Sequence, residues 1–158
     1  MMTPRIALLA VALFATPSLA ETTYRDDRST PSAVVQSLYN AIDRHELARA
    51  YSYWDGSAEV PDFSTFAKGY KTTDHVELVL GMVTSDGAAG SVFYNVPVAI
   101  RATDTSGATH EFAGCYVLRL VNPALQEVPP FRPTHIVSGH LKPARGPLNA
   151  ALPKECAG

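Results

Sequence analysis

"SVFYNVPVAIRATDTSGATHEFAGCYVLRLV", residues 91–121, decides the fold. From Ser91 to Thr103, Val92, Tyr94, Val96, Val98 and Ile100 alternate with Phe93, Asn95, Ala99 and Arg101, which is the period of two that a strand imposes on its side chains. Asp104 to Gly107 reads as a hairpin turn, with glycine where a positive φ falls. Thr109 to Val121 then resumes the alternation, with Phe112, Gly114, Tyr116, Leu118 and Leu120 against Ala113, Cys115, Val117 and Arg119. Proline cannot donate to a ladder, so Pro97 predicts a bulge or an edge position, and Gly114 predicts a bend.

Outward from this hairpin the pattern holds on both sides. Val76, Leu78 and Leu80 alternate from His75 onward, and that run stops at a turn cluster, Ser85-Asp86-Gly87. After the Pro-rich loop 122–133, His135 to Ser138 with Leu141 predicts a last strand. Upstream the period changes to that of helices. Thr30 followed by Pro31 is a helix start, since the threonine hydroxyl caps a free N–H and proline lacks one to lose. Val34, Leu38 and Ile42, with Val35 and Tyr39 beside them, form an apolar stripe on a first helix, Pro31 to Asp43. Glu46 to Trp54 predicts a second, with Leu47, Ala50, Tyr51 and Trp54 on one face. Pro61-Asp62 opens a third, carrying Phe63, Phe66 and Tyr70 and giving out near Gly69. Three helices before an antiparallel meander give an α+β fold, three N-terminal helices packed on a bent four-stranded sheet.

Residues 1–20, MMTPRIALLAVALFATPSLA, have the grammar of a secretory signal peptide: Arg5, an apolar run from Ile6 to Ala15, then Pro17 and small residues before a cut after Ala20. The run is too short for a permanent membrane anchor. We therefore read 21–29 as a flexible polar lead-in, 30–142 as one α+β domain and 143–158 as a C-terminal tail, in a chain that is exported to the periplasm or the medium. The chain has 13 Lys and Arg against 15 Asp and Glu, scattered without runs, which gives no electrostatic reason to expect nucleic acid as a partner. Cys115 and Cys156 are its two cysteines. In an oxidising compartment they pair with each other and staple the tail to the body; a buried Cys115 with a free Cys156, or a bridge between chains, are the other arrangements.

The run from Val34 to Tyr70, with "YNAIDRHELARAYSYW" and "FSTFAKGY", followed by "GSVFYNVPVAI" and "FAGCYVLRL", resembles exported bacterial members of the nuclear transport factor 2-like superfamily. The likeness covers residues 31 to 142 and rests on element order and aromatic placement. It implies a cone in which a bent sheet wraps a long first helix and leaves a pocket. Members of that superfamily include isomerases, dehydratases, hydrolases and transport factors, so the fold leaves function to the site. No run here matches an acid–base motif of its catalytic members, and no catalytic residue is carried over.

Tyr39, Tyr53, Trp54, Tyr70, Tyr94 and Tyr116 are the residues that either wall such a pocket, with apolar bodies and hydroxyls to orient a ligand, or fill the core. Arg119, on an otherwise apolar strand, either faces outward or holds an anion near the mouth. His75 beside Asp74 reads as surface, because neighbours on a strand point to opposite faces. His45 reads as part of a helix–helix turn. Asp55, Glu59 and Asp62 crowd one loop without a calcium-loop spacing, and Asp62 is placed to cap the third helix. No histidine pair has zinc-ligand spacing, so neither metal nor cofactor is expected. The reading is an exported, non-catalytic domain that binds a small apolar or amphipathic molecule, or a partner protein. An enzyme using an acid or base inside the cone is the alternative, and a homodimeric interaction module with Phe93, Ala99 and Val117 on an open outer face is the third.

Overall fold

The first helix forms as its caps dictate. In the computed structural model, which describes residues 22–56 and 59–156, α1 spans Pro31–Asp43, and the Thr30 hydroxyl accepts from the Ala33 N–H at 3.1 Å. The leader and its cut after Ala20 lie outside the described residues. α2 is Leu47–Tyr51 and α3 is Phe63–Gly69, where Asp62 accepts from the N–H groups of Ser64 and Thr65. β1 (Thr73–Leu80), β2 (Thr84–Ala88), β3 (Ser91–Asp104), β4 (Thr109–Val121) and β5 (His135–Pro143) form one antiparallel sheet, and a last turn of helix, α4, covers Leu148–Ala151. The order β1-β3-β4-β5 is the expected four-strand path. β2 is additional: the turn cluster at Ser85-Asp86-Gly87 lies inside a short strand that pairs with the start of β3.

β1 and β2 thus share one side of β3, and Pro97 lies at the gap between them. Its carbonyl accepts from the Gly81 N–H at 2.8 Å, so the N–H it lacks would also have faced that gap. In an antiparallel strand both polar groups of a residue point to the same side, and the edge breaks where a donor is missing. Pro97 is therefore not on an edge strand; the interruption in its neighbour accommodates it.

Val34, Val35, Leu38 and Ile42 of α1 pack with Val96, Val98, Leu118 and Ile136 of the sheet, all 1% exposed or less. The residues read as a flexible lead-in are tied across α1 and α2 from Thr22 onward. Ser37 of α1, fully buried, accepts from the Asp27 N–H and donates to the Asp27 carbonyl, while Asn40 bonds the Arg25 N–H and the Thr23 carbonyl. Arg49 of α2 donates to the Arg25 carbonyl and to Tyr53. The tail covers the opposite face of the sheet. α4 packs across β3 and β4, and the Cys115–Cys156 bond closes it down. Ala99 beneath is fully buried and Phe93 and Val117 are partly buried, so the apolar patch expected there is not open at its centre.

α2 is shorter than its apolar spacing predicts. It ends at Tyr51, and Trp54 is extended, bridging Ile136 in parallel: the Ile136 N–H donates to the Tyr53 carbonyl and the Asp55 N–H to the Ile136 carbonyl. Extended backbone sends successive side chains to opposite sides. Tyr53 and Trp54 therefore part company, which fixes what each can do.

Candidate ligand cavity

Between α1, α3 and the inner face of the sheet lies a cavity of about 470 Å³, within the range of small-molecule sites. Tyr39 reaches it from α1, one turn after Val35. Phe112 and Tyr116 reach it by the alternation that buries Leu118, Trp54 through the extended segment, and Phe66 and Tyr70 from α3 and its C-terminal end. Val76, Ile100, Ala102 and Leu141 complete an apolar wall. Gly139 lies opposite Tyr116 in the β4–β5 register, and a Cβ there would be 2.5 Å from the Tyr116 ring and 3.1 Å from Trp54. Glycine at this position lets both rings stand edge to face, 5.8 Å apart.

The polar content is small and specific. The hydroxyls of Tyr39 and Tyr116 lie 2.7 Å apart, and both residues are 3% exposed. Burial, and then the neighbouring phenols, push the Tyr39 hydroxyl well above the usual phenol range; burial chiefly pushes Tyr116 far up as well, and burial alone raises Tyr70. All three are neutral at physiological pH. In the Tyr39–Tyr116 pair one hydroxyl donates to the other, which leaves a proton and lone pairs for a guest. Glu59 is the one carboxylate among the lining residues and it is exposed. The arrangement can solvate a neutral polar group within an apolar container.

Of the residues expected at a pocket, Tyr39, Trp54, Tyr70 and Tyr116 are brought together there; Tyr53, Tyr94 and Arg119 are not. Tyr53 is fully buried on the other side, donating to Asp26 at 2.8 Å with the Arg28 guanidinium 4.3 Å above its ring. Tyr94 pairs across from Leu118 and Ser85 toward the far end of β3 and packs on the core. Arg119 lies on the outer face, donating to Ser91 Oγ at 3.0 Å with Phe93 beneath it, because its strand position is one off from Leu118. Spacing missed Phe66, Phe112 and Gly139 as wall residues; the glycine interrupting β5 was the available signal.

Away from the cavity, His75 stands 3.4 Å from Asp43 rather than beside Asp74, and His45 forms the helix–helix turn with a φ of 56°. Asp62 is occupied as a cap, its carboxyl held down at about 2 by the hydroxyls and N–H groups of Ser64 and Thr65. Among the described residues no group of His, Cys, Asp or Glu is placed to hold a metal ion, and no helix is long and apolar enough to cross a membrane.

No family model matches the sequence, and no curated protein matches it. Among solved structures the chain is similar to a candidate dehydratase of the nuclear transport factor 2-like family from Streptomyces avermitilis, with 14% identity, a TM-score of 0.47, and coverage of 73% of this chain and 94% of that one.

Proposed function

We propose that this chain is an exported binding domain, a distant member of the nuclear transport factor 2-like superfamily, that takes a small neutral or amphipathic molecule into the cavity walled by Tyr39, Trp54, Phe112 and Tyr116. The observation that carries this reading is the buried Tyr39–Tyr116 hydroxyl pair in a largely apolar container. A core that needed only filling would gain nothing from two hydroxyls that cost desolvation and satisfy only each other. A ligand with an apolar body and one hydrogen-bonding group uses both features. The Cys115–Cys156 bond is compatible with the oxidising compartment that export provides.

Trp54 is the single tryptophan of the sequence and lines the cavity, so its emission reports occupancy directly. Titration of the full chain with octan-1-ol is expected to shift that emission saturably. Tyr116→Phe, which removes one hydroxyl of the pair while keeping the ring, is expected to weaken the binding by about 1–2 kcal/mol, or roughly tenfold. An emission that drifts linearly with octanol in both proteins would sink the reading.

A further inference from the structure

Resting on that reading, we propose that Tyr70 sets the length of ligand the cavity accepts, and that the chain's ligands are linear amphiphiles whose anionic end is directed toward Lys68 and Lys71. Tyr70 lines two spaces at once, the cavity and a groove of about 530 Å³ beside α3 whose other walls include His45, Leu47, Ala67, Lys68 and Lys71. Among the described residues it is the one that lines both. Tyr39 and Trp54 also separate the cavity from neighbouring clefts, but both are fixed. Tyr39 is held through its hydroxyl by Tyr116, and the Trp54 ring is packed edge-on against Tyr116, 5.8 Å between centroids, over Gly139. Tyr70 follows the end of α3, rests on Phe66 at a ring separation of 5.0 Å, and makes no hydrogen bond through its hydroxyl among the described residues. It is the wall toward the groove, and its truncation or rotation breaks no hydrogen bond of its hydroxyl.

Charge gives the direction. The cavity's own rim carries Glu59, whereas the groove carries His45, Lys68 and Lys71 and no acidic side chain among its walls. A carboxylate head is therefore disfavoured at the first and favoured at the second, over an apolar floor of Leu47 and Ala67. With Tyr70 as it stands short chains fit best, their anionic end pointing toward the lysines, and a longer chain reaches Lys68 and Lys71 only when the Tyr70 side chain is turned aside or truncated.

The test compares octanoate, dodecanoate and dodecan-1-ol on the full wild-type chain and on Tyr70→Ala, Tyr70→Leu and Tyr70→Phe, read by Trp54 emission. The preference for dodecanoate over octanoate should rise by about tenfold or more in Tyr70→Ala, since four further methylenes become buried. Tyr70→Leu should move the same way and Tyr70→Phe should keep the wild-type ratio, because the wall and not the hydroxyl matters. Dodecan-1-ol should gain less than dodecanoate. An unchanged chain-length ratio in both Tyr70→Ala and Tyr70→Leu, with octanoate still binding, overturns the proposal and leaves the cavity reading standing; equal gains for alcohol and carboxylate overturn the assignment of the head group to the lysines. If neither octanoate nor octan-1-ol binds the wild-type chain, both readings fall together.

Discussion

Asp43 is the last residue of α1, and its side chain, 9% exposed, joins that helix to the sheet: the Val76 N–H donates to Oδ1 at 2.7 Å, and His75 Nδ1 lies 3.4 Å from Oδ2. Burial raises its carboxyl above the usual range, the like charge of Asp74 adds to that, and the Val76 bond and the nearby His75 and His45 oppose it. A carboxyl whose folded pKa lies above its unfolded one binds its proton more tightly when folded. Its stabilising contribution is therefore complete below about pH 4 and is lost as pH rises through the folded pKa. Asp43→Asn keeps an oxygen for Val76 but does not titrate. The difference in unfolding free energy, wild type minus Asp43→Asn, is expected to fall as pH rises from about 4 through the raised folded pKa of Asp43 and then to level off, as read from urea melts at stepped pH. A difference that rises over this window would mean that His75 and the Val76 bond, and not burial, dominate at Asp43.

At the scale of elements, β4 and β5 are held as close as a glycine allows. A Cβ at Gly114 would overlap the His140 carbonyl oxygen, and backbone cannot yield as a side-chain tip can. Gly114→Ala is accordingly expected to cost about 3 kcal/mol, whereas Gly87→Ala in β2, with open space around it, should change the urea midpoint little. The sequence predicts a bend at Gly114, whereas the β3–β4 register runs unbroken through it and its role is this close approach to β5. Caps and periods were legible: Thr30, Asp62 and the 91–121 hairpin signal locally what they do. β2 was not, since Thr84 to Ala88 is exposed throughout and bears no apolar face to mark it. Nor was the fate of Tyr53 and Trp54, whose backbone is set by Ile136, far along the chain. The same holds for the lead-in, a polar segment whose order comes from Ser37, Asn40 and Arg49, and two of the six aromatics expected at the cavity, Tyr53 and Tyr94, do not reach it.

For the whole molecule, the two faces of the sheet have different keepers: α1 and the core close one, and the tail closes the other through Leu148, Leu152 beside Gly81 and Pro97, and the Cys115–Cys156 bond. A cross-link at a sequence separation of 41 restricts the unfolded chain by about 4 kcal/mol on the loop-entropy argument. Reduction by excess dithiothreitol, or the double change Cys115→Ala and Cys156→Ala, is expected to lower the unfolding free energy by about that amount. The cavity lies on the opposite face, so the reduced protein, where still folded, should bind octan-1-ol as the oxidised one does. The change should be local: amides of 148–156 exchange faster on reduction, while those of α1 keep their protection until global unfolding. A loss below about 1 kcal/mol would show that burial of Leu148 and Leu152 holds the tail without the bond, since two such side chains contribute a few kcal/mol. Loss of octanol binding at unchanged global stability would show instead that the two faces are coupled through β3 and β4, the strands that contribute to both.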